Sequence, residues 1–437
     1  MEELFTKKYT YPQFLKYIFP SIATMIFLSF YTTIDGFFVS RYVNADALAS
    51  INIIIPITCV FFGISVMLAT GSGALVSIKL GEKNKEQANK LFSFITIFLL
   101  ILGIIMTLLG LIFLEKILKF LGATDKLMPY VKPYGFLTML MTIPMMFKLY
   151  FEYYARADGN PKLSLVMSTL GLGLNIVFDY IFIDILDMGI FGAGLGTFSS
   201  ITISAIIGFI YFISDKSNLK FVKTSINIEE LINSFYNGSS EMFTELSTGI
   251  TTFMFNKSLL LIVGENGVAA MSIITYMYYF FIAVYFGVTV GISPIISYNF
   301  GAKNKEKINE SLKHSFMTII WTSILIFLVS MIGGKYIISM FTMDKNVYDI
   351  ASHGIKLFSW GFLIIGFNIF ISGYFTAIGN GKISAIISIL RSLVFVIISV
   401  GILPKFIGID GIWISIPISE FMTIILSVYF YIKNGRV

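Results

Sequence analysis

One cysteine is all that 437 residues contain. Cys59 sits inside an apolar run, which excludes an internal disulfide and a thiolate metal cluster. Histidine is nearly as scarce. His314 and His353 both fall near loops, so there is no His-based metal site and no paired His/Asp set for an intramembrane enzyme. Charged residues make up 13% of the chain, against about 25% in a soluble globular domain. No Gly-rich phosphate loop of the Walker type occurs, so ATP hydrolysis within the chain is not supported. A cleavable leader is not expected either. Residues 1–16 are polar and of mixed charge, unlike a secretory peptide, and are expected to stay on the cytoplasmic side.

What fills the chain instead is apolar. Hydrophobic residues account for 56%, with 44 Phe and 20 Met, and mean hydropathy is +0.85. A water-soluble core of this length could not hide them. The composition specifies a polytopic membrane protein, and the +6 net charge reads as basic cytoplasmic loops rather than an affinity for nucleic acid.

The chain also repeats itself. Gly81-Glu-Lys-Asn-Lys-Glu86 returns as Gly301-Ala-Lys-Asn-Lys-Glu306, and Gly159-Asn-Pro-Lys-Leu-Ser164 returns as Gly379-Asn-Gly-Lys-Ile-Ser384, both 220 residues on. Asp125-Lys126 and Asp344-Lys345 differ by 219, as do Gly189-x-x-Gly192 and Gly408-x-x-Gly411. Such spacing specifies two tandem copies of one unit. Runs long enough to cross a ~30 Å hydrocarbon layer fall near 14–40, 48–79, 91–114, 130–154, 163–183, 190–214, 232–263, 268–299, 314–334, 348–377, 383–403 and 411–432. The fold class expected is therefore an all-α membrane protein with twelve transmembrane helices in two tandem six-helix lobes. The lobes are residues 1–214 and 231–437, joined by a cytoplasmic linker at 215–230. Segments on one side carry 19 Lys/Arg and those on the other carry 8. Basic residues resist translocation, so the richer side, with both termini, is assigned to the cytoplasm. An even span count gives both copies one orientation, related by an axis along the membrane normal.

Ionisable residues inside spans are costly and therefore informative. Asp35 lies in the outer half of span 1. Asp179 lies in the outer half of span 5, with Asn175 four residues earlier on the same helical face. Two acids and an amide at similar depth could form an oxygen-rich pocket for a proton or Na+, or could simply join helices. The second copy does not repeat this set: Asp35 aligns with Asn256, and span 10 carries no acid after Asp349. It offers Glu241 and Glu245 on one face of span 7, and Arg391 and Glu420 at comparable depth in spans 11 and 12. That last pair reads as structural. Span 8 carries Tyr276, Tyr278, Tyr279, Phe280, Phe281, Tyr285 and Phe286, able to line a cavity for flat cations or to pack against lipid and core. Glu245, Tyr276, Tyr279 and Phe280 are the candidate cavity residues. Prolines 20, 56, 144, 294 and 417 mark places where a span could bend.

Pro20 and Asp35 in span 1, Leu80-Gly-Glu-Lys-Asn84, Arg156-Ala-Asp-Gly-Asn-Pro-Lys162 and Leu174-Asn-Ile-x-x-Asp179 together resemble the MATE (multidrug and toxic compound extrusion) family over nearly the whole chain. The resemblance implies two lobes around a central cavity open alternately to each side, and export of organic, often cationic, compounds in exchange for H+ or Na+. It implies a coupling-ion site at Asp35, Asn175 and Asp179, with no cofactor and no metal other than Na+. Some sodium-coupled members also use acids on spans 7 and 10, of which this chain has only Glu245. Small-molecule substrates and membrane lipids are the expected partners, in a monomeric, multi-pass protein of the bacterial cytoplasmic membrane. A rival on the same architecture is a flippase for lipid-linked sugars or another metabolite exporter. A pyrophosphate would call for a strongly cationic cavity, and mid-span Lys/Arg is confined to Arg391 and Lys148. A passive channel suits two copies with unequal acids less well than a coupled rocking cycle does.

Overall fold

The motifs that repeat in the sequence are helix ends. A computed structural model describes residues 2–42 and 45–435, with side chains outside 31–46, 48 and 49. Lys83 and Lys303 both take left-handed backbone (φ 61° and 56°), and the next residue caps the following helix. Asn84 accepts from the Gln87 amide, and Asn304 from that of Lys307. The second motif works the same way. Gly159 and Gly379 supply positive φ, and Asn160 and Asn380 cap spans 5 and 11. Asn tolerates the cap geometry and satisfies orphan amides, so each motif reverses the chain in a few residues.

Every regular element among the described residues is helical. Span 1 is Tyr11–Tyr42, span 2 Ala45–Gly81 and span 3 Lys85–Ile112. Span 4 is the bent pair Met128–Leu140 and Thr142–Ala157, followed by span 5 at Pro161–Ile185 and span 6 at Gly189–Ile213. Span 7 is Ile228–Ile262. Span 8 is Glu265–Gly301, span 9 Lys305–Phe341, span 10 Lys345–Ala377, span 11 Gly381–Ile407 and span 12 Ser415–Asn434. The chain is thus an all-α membrane protein with twelve spans in two lobes. Span 7 is the polar exception, with Glu229, Glu230, Glu241, Glu245 and Lys257 along it.

Several helices outrun their apolar stretch. Span 9 starts at Lys305 rather than near 314, because Asn304 caps a polar first turn. His314 therefore lies inside the helix, packed against the rings of Tyr11 and Phe14, and not beside a loop. Span 7 likewise begins at Ile228 with Glu229 and Glu230 in its first turn, where negative charge complements the helix dipole. The prolines act unequally. Pro20, Pro56 and Pro294 lie within continuous helices. Pro144 and Pro417 each follow a break by three residues, at Met141 and Ile414. A proline cannot donate to, and sterically opposes, the carbonyl four residues back, and at Pro144 the axis turns by 48°.

The lobes meet through spans 1 with 8, 2 with 7, and 2 with 8. Backbones of the two lobes meet closely at the end that bears the N-terminus. A Cβ at Gly81 would overlap the Tyr298 carbonyl oxygen, and one at Gly301 would overlap that of Ile78. These two glycines are the repeated residues of the first motif, so the copies interlock backbone to backbone through equivalent positions. Each copy also reaches across. The segment before span 1 lies on the start of span 9: Phe5 is fully buried, its carbonyl accepts from Asn299 Nδ2 at 2.9 Å, and the Tyr9 amide donates to Glu310 at 2.9 Å. The segment before span 7 lies on the start of span 3, where the Lys220 and Val222 amides donate to Asn89 and Ser93 at 3.0 and 2.9 Å.

Candidate functional site

Buried polar groups gather in three places. In the first lobe, Asn175 and Asp179 lie one turn apart on span 5, both without solvent exposure. Asn175 Nδ2 donates to Thr197 Oγ1 of span 6 at 3.3 Å. The Asp179 carboxylate rests on Gly196, where a Cβ would overlap Oδ1, so a glycine at that position makes room for the acid. Directly after Asp179 the helix widens into a π-turn, Tyr180–Ile185, an arrangement frequent at functional sites. Span 1 packs along span 5. Its helical backbone includes position 35, but the Asp35 side chain lies outside the described residues. One layer further in, Lys148 Nζ pairs with Glu152 at 3.1 Å, and Ser168 donates to the same oxygen at 2.8 Å. Sequence reading found Lys148 but missed Glu152 and Thr197. The Lys148/Glu152 spacing of four was the available signal.

In the second lobe, Arg391 and Glu420 do pair, at 3.4 Å. Asn368 Nδ2 donates to Glu420 Oε2 at 2.7 Å, Ser427 donates to Asn368 Oδ1, and Ser419 donates to the Arg391 carbonyl. Arg391 itself sits in a π-turn, Leu390–Val394. Removing one partner of a pair this enclosed strands the other. Arg391→Met or Glu420→Leu alone is expected to destabilise the protein by about 3–5 kcal/mol, with most of that recovered when both are replaced. Unfolding of the purified protein in detergent checks this; single variants as stable as wild type would remove the pair from the stability account.

The third place is the seam between lobes. Glu241 and Glu245 lie one turn apart on span 7 and are half-buried. Glu245 faces Gly63 of span 2, with its Cβ 3.6 Å from where a Cβ would stand. Glu241 lines a cavity of about 40 Å³ with residues of spans 2, 4, 8 and 10. The aromatic run of span 8 divides. Tyr285 is fully buried, its hydroxyl donating to the Phe362 carbonyl, and Phe281 packs on Phe362 in the second-lobe core. Phe280 meets Phe30 of span 1 across the seam at 5.5 Å. Tyr279 lies within electrostatic reach of Glu245 and Cys59, whereas Tyr276 turns aside and stacks on Phe341 of span 9. The fold therefore brings Glu245, Tyr279 and Phe280 to one seam and leaves Tyr276 away from it. Arg156, counted as a loop residue from sequence, closes span 4 and is 1% exposed.

Two six-span lobes of tandem origin, with acids at their seam and a carboxylate–amide pair inside one lobe, define a membrane transporter. The chain belongs to the MatE family, whose model matches residues 20–181 and again residues 240–400. The second match begins 220 residues after the first (240 against 20), the step seen in the turn motifs. Multidrug export protein MepA of Staphylococcus aureus (strain MRSA252) is 26% identical over 425 residues, covering 95% of this chain and 92% of that protein. The same-named protein of Staphylococcus haemolyticus is 25% identical over 401 residues, covering 91% of this chain and 88% of its own length. Among solved structures, the outward-facing conformation of a multidrug resistance MATE family transporter of the MOP superfamily superposes with a TM-score of 0.92, at 20% identity over 99% of this chain and 97% of that one. A MOP superfamily transporter from Pyrococcus furiosus, described as having a binding pocket of reverse polarity, gives 0.91 at 20% identity, with the same coverage of both chains.

Proposed function

We propose that this transporter is a secondary active antiporter that exports amphipathic, cationic organic compounds from a bacterial cytoplasm in exchange for H+ or Na+. Asp35, Asn175 and Asp179 bind the coupling ion. Glu245, with Tyr279 and Phe280, lines the path of the compound. The lobes of residues 1–214 and 231–437 rock about the seam within a single protomer, joined by the linker at 215–230. The Lys/Arg-rich end with both termini faces the cytoplasm, as the charge asymmetry favours. No cofactor enters the cycle, since the ion gradient supplies the work.

The observation that carries this reading is the pair Glu241 and Glu245, half-buried and facing the other lobe, in walls otherwise rich in aromatic and small residues. Acids in an apolar path favour a cation, and such walls adapt to many shapes. The names of the staphylococcal relatives point to the same class of cargo. A lipid-linked sugar flippase is the weaker reading, because Lys148 and Arg391 are neutralised by Glu152 and Glu420 inside the lobes. The test is ethidium accumulation in an efflux-deficient bacterial host. Expression should lower it, and Glu245→Gln should restore at least half of the difference. If cationic dyes accumulate equally with and without the protein while an anionic or neutral compound is exported, a dedicated metabolite or lipid carrier is the better account.

A further inference from the structure

Arg156 closes the inner segment of span 4, and its guanidinium is among the most deeply buried large groups of the protein. It lies 4.4 Å from the centroid of the Tyr153 ring, and Nη1 donates to Ser164 Oγ. Nε and Nη2 have no acceptor among the described residues. The neighbouring acids are already engaged. Glu152 Oε1 accepts from Lys148 and Ser168. Asp158 accepts from the Tyr211 hydroxyl at 2.7 Å and from the Asn218 and Leu219 amides. Two guanidinium donors are thus left without an acceptor among the described residues in a buried place.

A further buried donor lies nearby. The Tyr17 hydroxyl of span 1 is buried without a partner among the described residues and lies within electrostatic reach of Arg156. Arg156, Tyr153, Ser77, Glu241, Ser293 and Thr376 all line the seam cavity of about 40 Å³. That volume exceeds the ~30 Å³ share of one water and falls far short of the ~300 Å³ or more of a drug-sized pocket. It suits the head of a ligand, not its whole body.

The position gives the site leverage. The cavity lies close to the interlock of Gly81 and Gly301, in walls drawn from both lobes. Closing this end on an empty site leaves buried donors unmet, whereas closing it on a carboxylate satisfies them. A ligand that binds the closed state better shifts the protein toward it.

We propose that Arg156 is a carboxylate-binding subsite at the inner mouth of the transport path, selecting amphoteric compounds whose acid it holds while Glu241, on the opposite lobe, faces their cationic group. This rests on the transporter reading above, so the experiment has one arm that needs no transport. In that arm, purified wild type in a methanesulfonate buffer, whose anion is not a carboxylate, is melted with and without sodium benzoate, then with sodium chloride. Benzoate should raise the melting temperature of wild type and leave that of Arg156→Gln unchanged. No benzoate shift in wild type, or a shift with chloride alone, overturns the proposal, the latter by showing a site for an inorganic anion only. In the transport arm, a rhodamine bearing a free carboxylate is compared with its methyl ester. The export ratio of acid to ester should fall roughly tenfold in Arg156→Gln, as loss of a charge-assisted bidentate contact predicts, and recover in part in Arg156→Lys. An unchanged ratio overturns the subsite even if both dyes are exported. Failure of wild type to export either dye would count against the multidrug reading, while the melting arm still decides the site.

Discussion

Asp179→Asn should abolish gradient-driven export while leaving expression and membrane insertion intact, and Asp35→Asn should do the same. A carried ion must bind in one conformation and leave in another, so its ligands need an affinity that changes with state. A carboxylate enclosed by helices and later opened to water meets that need, because hydration alters its preference for the charged form. Three local features support the expectation for Asp179. It is fully buried, rests on Gly196 and precedes a π-turn, a local weakness where span 5 could change shape. The amide that replaces it in the variant keeps the volume but not the charge. The measurement is dye efflux from energised vesicles, with a pH gradient and a sodium gradient imposed separately, which also identifies the ion. Asp410→Asn is the control. Among the described residues its carboxylate meets the His353 ring, in an exposed pair at 2.7 Å, and such pairs are worth about 0–1 kcal/mol. Normal export from both Asp35→Asn and Asp179→Asn would remove these residues from the mechanism.

The second large effect is expected from the smallest side chains. Gly81→Leu and Gly301→Leu should each prevent the end bearing the N-terminus from closing, and the double variant should transport nothing. At both positions the obstacle is a backbone carbonyl of the other lobe, and backbone does not yield as a flexible side chain would. The repair is to part the helices, which is the motion a rocking cycle uses. A reporter cysteine, Ser77→Cys in a Cys59→Ala background, reads the outcome, since Ser77 is fully buried beside the seam cavity. Its reaction with a water-soluble thiol reagent should quicken by about tenfold or more in either glycine variant, the signature of a shift of ~1.4 kcal/mol toward the open form. Equal labelling rates would mean that the contact of spans 2 and 8 is not the closure.

Much of this architecture could be read without coordinates, and the reason is locality. Helix ends, caps and tight turns depend on a handful of adjacent residues, so Lys83-Asn84 and Lys303-Asn304 show themselves as a repeat. The spans follow from hydropathy, because lipid demands about twenty apolar residues in succession. Asn175 and Asp179 share a face because the helix repeats every 3.6 residues, and their burial follows from the cost of charge in lipid. Lys148 and Glu152 were legible by the same rule of four.

Contacts between distant residues were decided only by tertiary structure. Nothing local links Arg391 to Glu420, 29 residues apart, or Asp179 to the glycine that makes room for it. Arg156 looked like a loop residue because a Gly-Asn-Pro turn follows it, and it became a buried charge only when spans 2, 5 and 6 packed along the inner segment of span 4. The span 8 aromatics carry one periodicity, yet Tyr276, Phe280 and Tyr285 met three different neighbours, because helix phase does not say which helix lies opposite. The sequence alone determined that there are two copies, twelve spans and a few costly acids. Packing decided which of those acids are neutralised within a lobe and which face the seam, since pairing depends on distance in space rather than along the chain.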